Sequence, residues 1–293
     1  VERPGWAWLA GLLGLGLSVW LLQPGFMNWD SAEQWRQARL GQYDDVFPPL
    51  MAMLWRQVDA CVEGPLGMLV LQALLFWTAL AGIVSRLRWR APVQGCLVLG
   101  LGLWPPLFGL LGHIWKDVWV MALFALAVWA LRAELSRPSA CWRTAALLAL
   151  LLACAFRHNA ITGAVPLLVW WAWRTLAARG AWRVTGLTVA AAVLLHLGAG
   201  LPARHPSVKR VPAIWSAVAL WDIAAVSIRE GRLLYPPGFA DPGLRLEDLR
   251  EYYRDYSNTT IYQIGKLRLS FYAPYAPGES ERLLEAWLRL PLD

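Results

Sequence analysis

The sequence predicts an all-α integral membrane protein with about seven transmembrane helices, outward-facing amphipathic helices in the first loop and a short, mostly helical outer segment at the C-terminal end. Three observations predict it. Apolar residues make up 58% of the 293 residues, with a mean hydropathy of +0.41, against the roughly 45–50% of soluble domains. The excess is gathered into blocks such as 66–85 and 184–201, close to the ~20 residues a bilayer core requires. Arginines recur in the short connections between alternate blocks, which marks those connections as cytoplasmic.

Seven spans follow in order: 6–22, 66–85, 93–111, 114–131, 144–156, 160–176 and 184–201. The first has no small-residue cleavage pattern after it and reads as a retained helix, not a signal peptide. The third contains Pro105-Pro106 and the sixth Pro166, which membrane helices tolerate where neighbours satisfy the freed carbonyls. The fifth is short and is expected to extend at its ends. Arg86, Arg88 and Arg90 follow the second span, Arg132, Arg137 and Arg143 surround the fourth connection, and Arg174, Arg179 and Arg183 the sixth. These alternate correctly, so they and the N-terminus are cytoplasmic. The loop 23–64, the links 112–117 and 157–159, and everything after Pro202 then face outward. This divides the chain into a transmembrane domain, 1–201, carrying a catalytic loop at 23–64, and an outward segment, 202–293. Within that segment, 213–228 reads as a helix lying on the membrane surface, and 246–256 and 279–290 as short helices.

Twenty tryptophans, many near block ends (Trp6, Trp20, Trp89, Trp104, Trp182), suit the bilayer interface. A net charge of +7 is placed by topology, so nucleic acid is not an expected partner. Cys61, Cys96, Cys141 and Cys154 have neither metal spacing nor a disulfide framework. No glycine loop cradles a phosphate.

The outward segments concentrate the chemistry. In the first loop, Asp30-Ser31 opens an amphipathic helix with one of the two as N-cap, Gly41 ends it, and Pro48-Pro49 start another at Leu50. A carboxylate at that depth can act as a general base. Asp30 is the first candidate, flanked by Trp29 and Trp35, which would desolvate it. Glu33 comes next, with Asp44 and Asp45 in support. Lys116 and Asp117 lie at the membrane edge, where ionisable groups are costly and tend to be functional; the plain alternative is a snorkelling lysine with a counter-ion. Arg157, His158 and Asn159 fill the fifth link, where a guanidinium pairs naturally with phosphate, unless Arg157 is only an anchor. His196 reads as a packed helix residue bonded to a neighbour. No residues are assigned to a metal, although two adjacent acids such as Asp44-Asp45 offer oxygen ligands to a divalent ion.

An acid just after the first span, a helix carrying Ala38-Arg39 and Gly41, and Pro48-Pro49-Leu50 leading the next helix together resemble the first outer loop of GT-C glycosyltransferases, of the protein mannosyltransferase and lipid A aminoarabinose transferase type. The patterns Trp115-Lys116-Asp117 and Arg157-His158-Asn159 are similar to those of bacterial members. The resemblance covers roughly the first two hundred residues. It implies transfer of a sugar from a polyprenyl-phosphate donor in the inner (plasma) membrane to a glycan, lipid or protein acceptor on the periplasmic side, with inversion and no cofactor. Asp30 would be the base, and Lys116, Arg157 and His158 would hold the donor phosphate. The competing reading is a transporter or flippase of lipid-linked sugars, which should carry ionisable groups near the bilayer midplane. Here the charges collect at the span ends.

Overall fold

The structure, a computed structural model, describes residues 5–176, 180–269 and 275–290. It divides into two compact units, Val1–Lys209 and Arg210–Asp293, so residues 202–209 belong to the first unit although composition changes at Pro202. Arg179, expected to mark a cytoplasmic connection, lies outside the described residues.

The first unit runs α1 (Gly5–Leu22), α2 (Trp29–Leu40), β1 (Tyr43–Asp44), α3 (Leu50–Asp59), α4 (Leu66–Val84), α5 (Ala91–Gly102), α6 (Pro105–Leu111), α7 (Lys116–Ser136), α8 (Ala140–Phe156), α9 (Ala160–Leu176), α10 (Ala181–Ala199) and β2 (Val208–Lys209). Helices α1, α4, α7 and α10 are each long and apolar enough to cross a membrane, and α5 with α6 makes a fifth span if the bent pair is one. The protein is therefore a multi-pass membrane protein.

The stretch 93–111, expected as one span, bends by 66°. Pro105 and Pro106 supply no N–H to the preceding turn and their rings crowd it, so α5 stops before Leu103 and α6 restarts with proline in its first turn. Helices α8 and α9 have 17 residues each, at 1.5 Å per residue slightly short of a ~30 Å core. Ser139 caps α8 by accepting the Cys141 N–H, extending the helix upstream of the expected start.

Small residues let the helices close on bulky ones. Trp77 of α4 is fully buried between Gly14 of α1 and Gly102 of α5, where any Cβ would be driven into the indole. Its N–H donates to Ser18 Oγ at 2.8 Å, and Ser18 donates to the Gly14 carbonyl. A buried polar pair thus finds partners inside an apolar layer.

The first loop folds back onto one end of the bundle. Met51 and Trp55 of α3 and Ala38 of α2 join Met68, Leu69, Ile114, Trp119 and Phe156 in one core. Gly41, at φ +66°, ends α2 with its N–H on the Gln37 carbonyl, and a Cβ there would strike the Arg56 guanidinium. Strand β1 pairs in parallel with β2, Tyr43 opposite Val208 and Asp44 opposite Lys209.

The second unit contains α11 (Ser216–Glu230), α12 (Leu246–Tyr252) and α13 (Glu279–Leu288). The stretch 213–228 was expected to lay an apolar face on the membrane. Instead Leu220, Ile223 and Ala224 of α11 pack with Phe239, Leu249, Ile261 and Leu283 into the unit's own core. Asp222, the charge within that stretch, accepts the Trp287 indole N–H at 2.8 Å. The Tyr235 and Tyr262 hydroxyls donate to the Leu220 and Ala217 carbonyls.

Candidate functional site

The candidate site is at the end of the first unit where the first loop packs, and it is built around the sharp turn joining α6 to α7. Three elements buckle that turn. The chain after α1 bonds it twice: the Phe26 N–H donates to the Gly112 carbonyl (2.8 Å) and the Ile114 N–H to the Phe26 carbonyl (2.9 Å). Gln72 of α4, wholly buried, donates to the Leu111 and His113 carbonyls at 2.7 and 2.9 Å. Ser31 of α2 donates to the Ile114 carbonyl at 2.5 Å. Lys116, the first residue of α7, is fixed by these bonds.

Its ammonium meets Asp30 Oδ2 at 3.2 Å, with 10% of the lysine side chain and 30% of the aspartate exposed. The Phe47 ring covers it from another side, its centroid 3.8 Å from Nζ, a cation–π distance. The next residue, Asp117, accepts a charge-assisted hydrogen bond from Arg157 Nη1. Arg157 Nε donates to Asn159 Oδ1 at 2.8 Å. Below this second pair, Trp119 and Phe156 stack at 4.8 Å with planes 5° apart, locking the start of α7 to the end of α8. Residues 30, 116, 117 and 157, distant in sequence, thus form two linked ion pairs, joined through the adjacent Lys116 and Asp117.

Asp30 does not cap α2, nor does Ser31. Asn28 does, in an extended conformation, with Oδ1 accepting the Ser31 N–H at 2.9 Å. Asn28 reaches the first-turn N–H groups from outside the helix, as a cap must, which leaves the Asp30 carboxylate for Lys116. The tryptophans do not enclose Asp30 as expected: Trp29 is 81% exposed and Trp35 donates across the loop to Asp59 at 2.8 Å.

Glu33 is engaged along its own helix, accepting from Arg36 at 2.8 and 2.6 Å and from Gln37 at 3.1 Å. The Arg36 hydrogen bonds hold its pKa below the ordinary glutamate value, outweighing burial. It is the weaker candidate base. Asp44 is buried and accepts the Val46 N–H at 3.2 Å, while the Asp45 N–H donates to the Lys209 carbonyl. Partial loss of solvent lowers the His158 pKa, with a further push from His196 and an opposing pull from Asp45. His196 itself sits on the exposed side of α10, not packed as expected. Among the described residues, no group of three or more His, Cys, Asp or Glu side chains is placed to hold a metal.

Sequence reasoning missed Phe47, Gln72 and Asn28. Gln72 had a signal: a lone amide in an apolar block must find partners there. Phe47 had none. Compared with known proteins, the chain matches no family model, no curated protein and no solved structure.

Proposed function

We propose that the protein is a membrane glycosyltransferase that moves a sugar from a polyprenyl-phosphate donor to an acceptor hydroxyl or amine, at the end of the bundle that carries Asp30. Asp30 takes the acceptor proton as the acceptor atom attacks the anomeric carbon. The carbon–oxygen bond to phosphate breaks with inversion, and the polyprenyl phosphate leaves with the bonding electrons. Lys116 and Arg157, held by their carboxylate partners, stabilise the charge developing on the phosphate as preorganised cations, Lys116 the more so once Asp30 has taken the proton and lost its own charge; His158 follows Arg157 in the same link. Asp117 and Asn159 aim Arg157, while Asp44 and Asp45 anchor the strap that carries Phe47. The observation that carries the reading is the pairing of Asp30 with Lys116: a base and a phosphate-binding cation side by side, at a span end within reach of a membrane-held donor. In this reading the chain makes seven spans, counting α8, α9 and the bent α5–α6 pair, with α1 starting in the cytoplasm and the site on the periplasmic side of the inner membrane.

The test is Asp30→Asn. The change keeps shape and, since Asn28 is the cap, leaves the helix start intact. Transfer should fall by about 10²–10⁴, the range for a lost general base, in protein made at normal levels. Near-normal turnover by folded Asp30→Asn would refute the assignment. One observation favours transport instead: α5–α6 is a broken helix, a feature of transporter sites. Mass spectrometry of envelope glycans and lipids from a strain lacking the protein, with a membrane-impermeant probe of the lipid-linked sugar, separates the readings. Both readings predict a missing glycosidic linkage; lipid-linked sugar that accumulates within reach of a membrane-impermeant probe on the periplasmic leaflet supports transfer, and lipid-linked sugar confined to the cytoplasmic leaflet supports transport.

A further inference from the structure

Lys116 poses a problem of access. Its side chain is 10% exposed, with Asp30 on one side and the Phe47 ring across another. The face of an aromatic ring is its negative pole, so an anion cannot reach Nζ through it. Phe47 belongs to a strap, residues 42–48, that joins α2 to α3. Both helices are bedded in the core through Ala38, Met51 and Trp55. The strap is not: Asp45, Val46, Phe47 and Pro48 stand partly exposed. Its clasp on the segment after α10 is made of long bonds. The Tyr43 N–H donates to the Ser207 carbonyl at 3.3 Å and the Asp45 N–H to the Lys209 carbonyl at 3.2 Å. Gln37 Oε1 accepts the Asp44 N–H at 3.2 Å. These lie at or past the long end of the ordinary range of about 2.7–3.2 Å. The turn beneath Lys116 is tied by bonds of 2.5–2.9 Å from Ser31, Gln72 and the chain at Phe26. When this end of the bundle opens, the strap yields before the turn does.

We propose that residues 42–48 are a lid that parts from β2, lifts Phe47 off Lys116 and admits the phosphate of the membrane-held donor to the ammonium. The identity of the anion rests on the glycosyltransferase reading; the lid does not. A phosphate has no place on Nζ while the ring covers it, so it binds the open form alone and shifts the chain toward it. The cation–π contact that is lost is replaced by a charge-assisted hydrogen bond, the stronger of the two. With the donor gone, the ring returns to the lysine.

The test locks the clasp. Tyr43 and Val208 are partners across β1 and β2, so Tyr43→Cys with Val208→Cys places a disulfide there, in a chain cleared of its four free cysteines. The probe is N-hydroxysulfosuccinimide acetate, applied to the full chain in nanodiscs, with acetylation read at Lys116 by peptide mapping. Oxidation should slow it by about tenfold or more, because the minor open state is lost, and reduction should restore it. Adding Phe47→Ala should cancel the effect of the disulfide, since the locked strap then covers nothing. Gln37→Leu removes one bond from the strap and leaves β2 alone. It should speed acetylation roughly 2–12-fold, the worth of one hydrogen bond, and it keeps the test decisive if the double variant folds poorly. Equal acetylation in the oxidised and reduced forms, or an unmoved rate in Gln37→Leu, would overturn the lid. Sugar transfer should stop on oxidation and return on reduction; undiminished transfer with Lys116 hidden would overturn the lid's part in the reaction. If acetylation follows the disulfide but no form transfers sugar, the lid stands and the glycosyltransferase reading falls.

Discussion

Lys116 holds the two ion pairs of the site together: it bonds Asp30 directly and places Asp117 against Arg157. A lysine at a helix start, facing that helix's positive end, is unfavourable unless something offsets it. Asp30 and the Phe47 ring do so. Removing the ring should therefore uncover the ammonium. The chain has three lysines, Lys116, Lys209 and Lys266, so peptide mapping of an amine-reactive label reports each one separately. Phe47→Ala should raise labelling at Lys116 by about 3–30-fold, the equivalent of a cation–π contact of ~0.5–2 kcal/mol, with Lys209 and Lys266 unchanged. An unchanged Lys116 rate would mean that Phe47 does not shield it. His158 supplies a second residue-level expectation. Its folded pKa lies below the usual value near 6.5, so the folded chain binds fewer protons than the unfolded one between those two values. Stability from this group is intact above pH 6.5 and is lost as pH falls through 6.5 toward the folded pKa. The acid-side decline in Tm should be shallower in His158→Gln. An identical pH profile would remove His158 from the acid response.

Among the elements, α7 and α9 are pinned far from the site by Glu134 and Arg174, at 3.0 Å, with the glutamate side chain 3% exposed and the arginine 36%. Removing one member of a buried pair strands the other and typically costs ~3–5 kcal/mol. The half-open arginine reduces that to about 2–3 kcal/mol for Arg174→Ala. The double change Glu134→Gln with Arg174→Gln should recover most of the loss, because no charge is left stranded. Unfolding in detergent micelles measures both; equal losses in the single and double variants would count against a stranded charge. This pair also marks where sequence reading stopped. Block lengths gave the helices and Pro105-Pro106 gave a warning of the bend, because those signals are local. Which carboxylate meets which cation depends on helix rotation, which composition does not encode. Asp30 and Lys116 were each visible as candidates; their contact was not. The cap of α2 was misplaced because Asn28, Asp30 and Ser31 are all competent caps, and only the geometry of the chain leaving α1 chooses among them. The apolar stretch 213–228 was assigned to a membrane surface because its partners, Phe239, Ile261 and Leu283, come from residues too far along the chain for periodicity to connect.

For the whole molecule, the arrangement of charge makes a prediction about sidedness. One end of the first unit holds Asp30, Asp44, Asp45, Asp117 and the loop helices, and the other holds Arg86, Arg88, Arg90, Arg137 and the Glu134–Arg174 pair. The proposed seven-span arrangement puts all three arginine-bearing connections on one side, with the bent α5–α6 pair crossing the membrane once. If α5–α6 re-entered, the connection before α7 would return to the side of Arg88, and Lys116 would stand on the arginine-rich face with Asp30 stranded opposite. A single crossing, as the seven-span proposal has it, keeps the Asp30–Lys116 contact at 3.2 Å on one side, and a hydrogen-bonded pair cannot straddle the bilayer core. Single cysteines at Arg88 and Arg137, in a background without Cys61, Cys96, Cys141 and Cys154, should therefore react with a membrane-impermeant maleimide from one side only, and a cysteine at Asp45 from the other. The positive-inside bias places the first pair in the cytoplasm. Labelling of positions 45 and 88 from the same side would break the seven-span arrangement and, with it, the placement of the site on the periplasmic face.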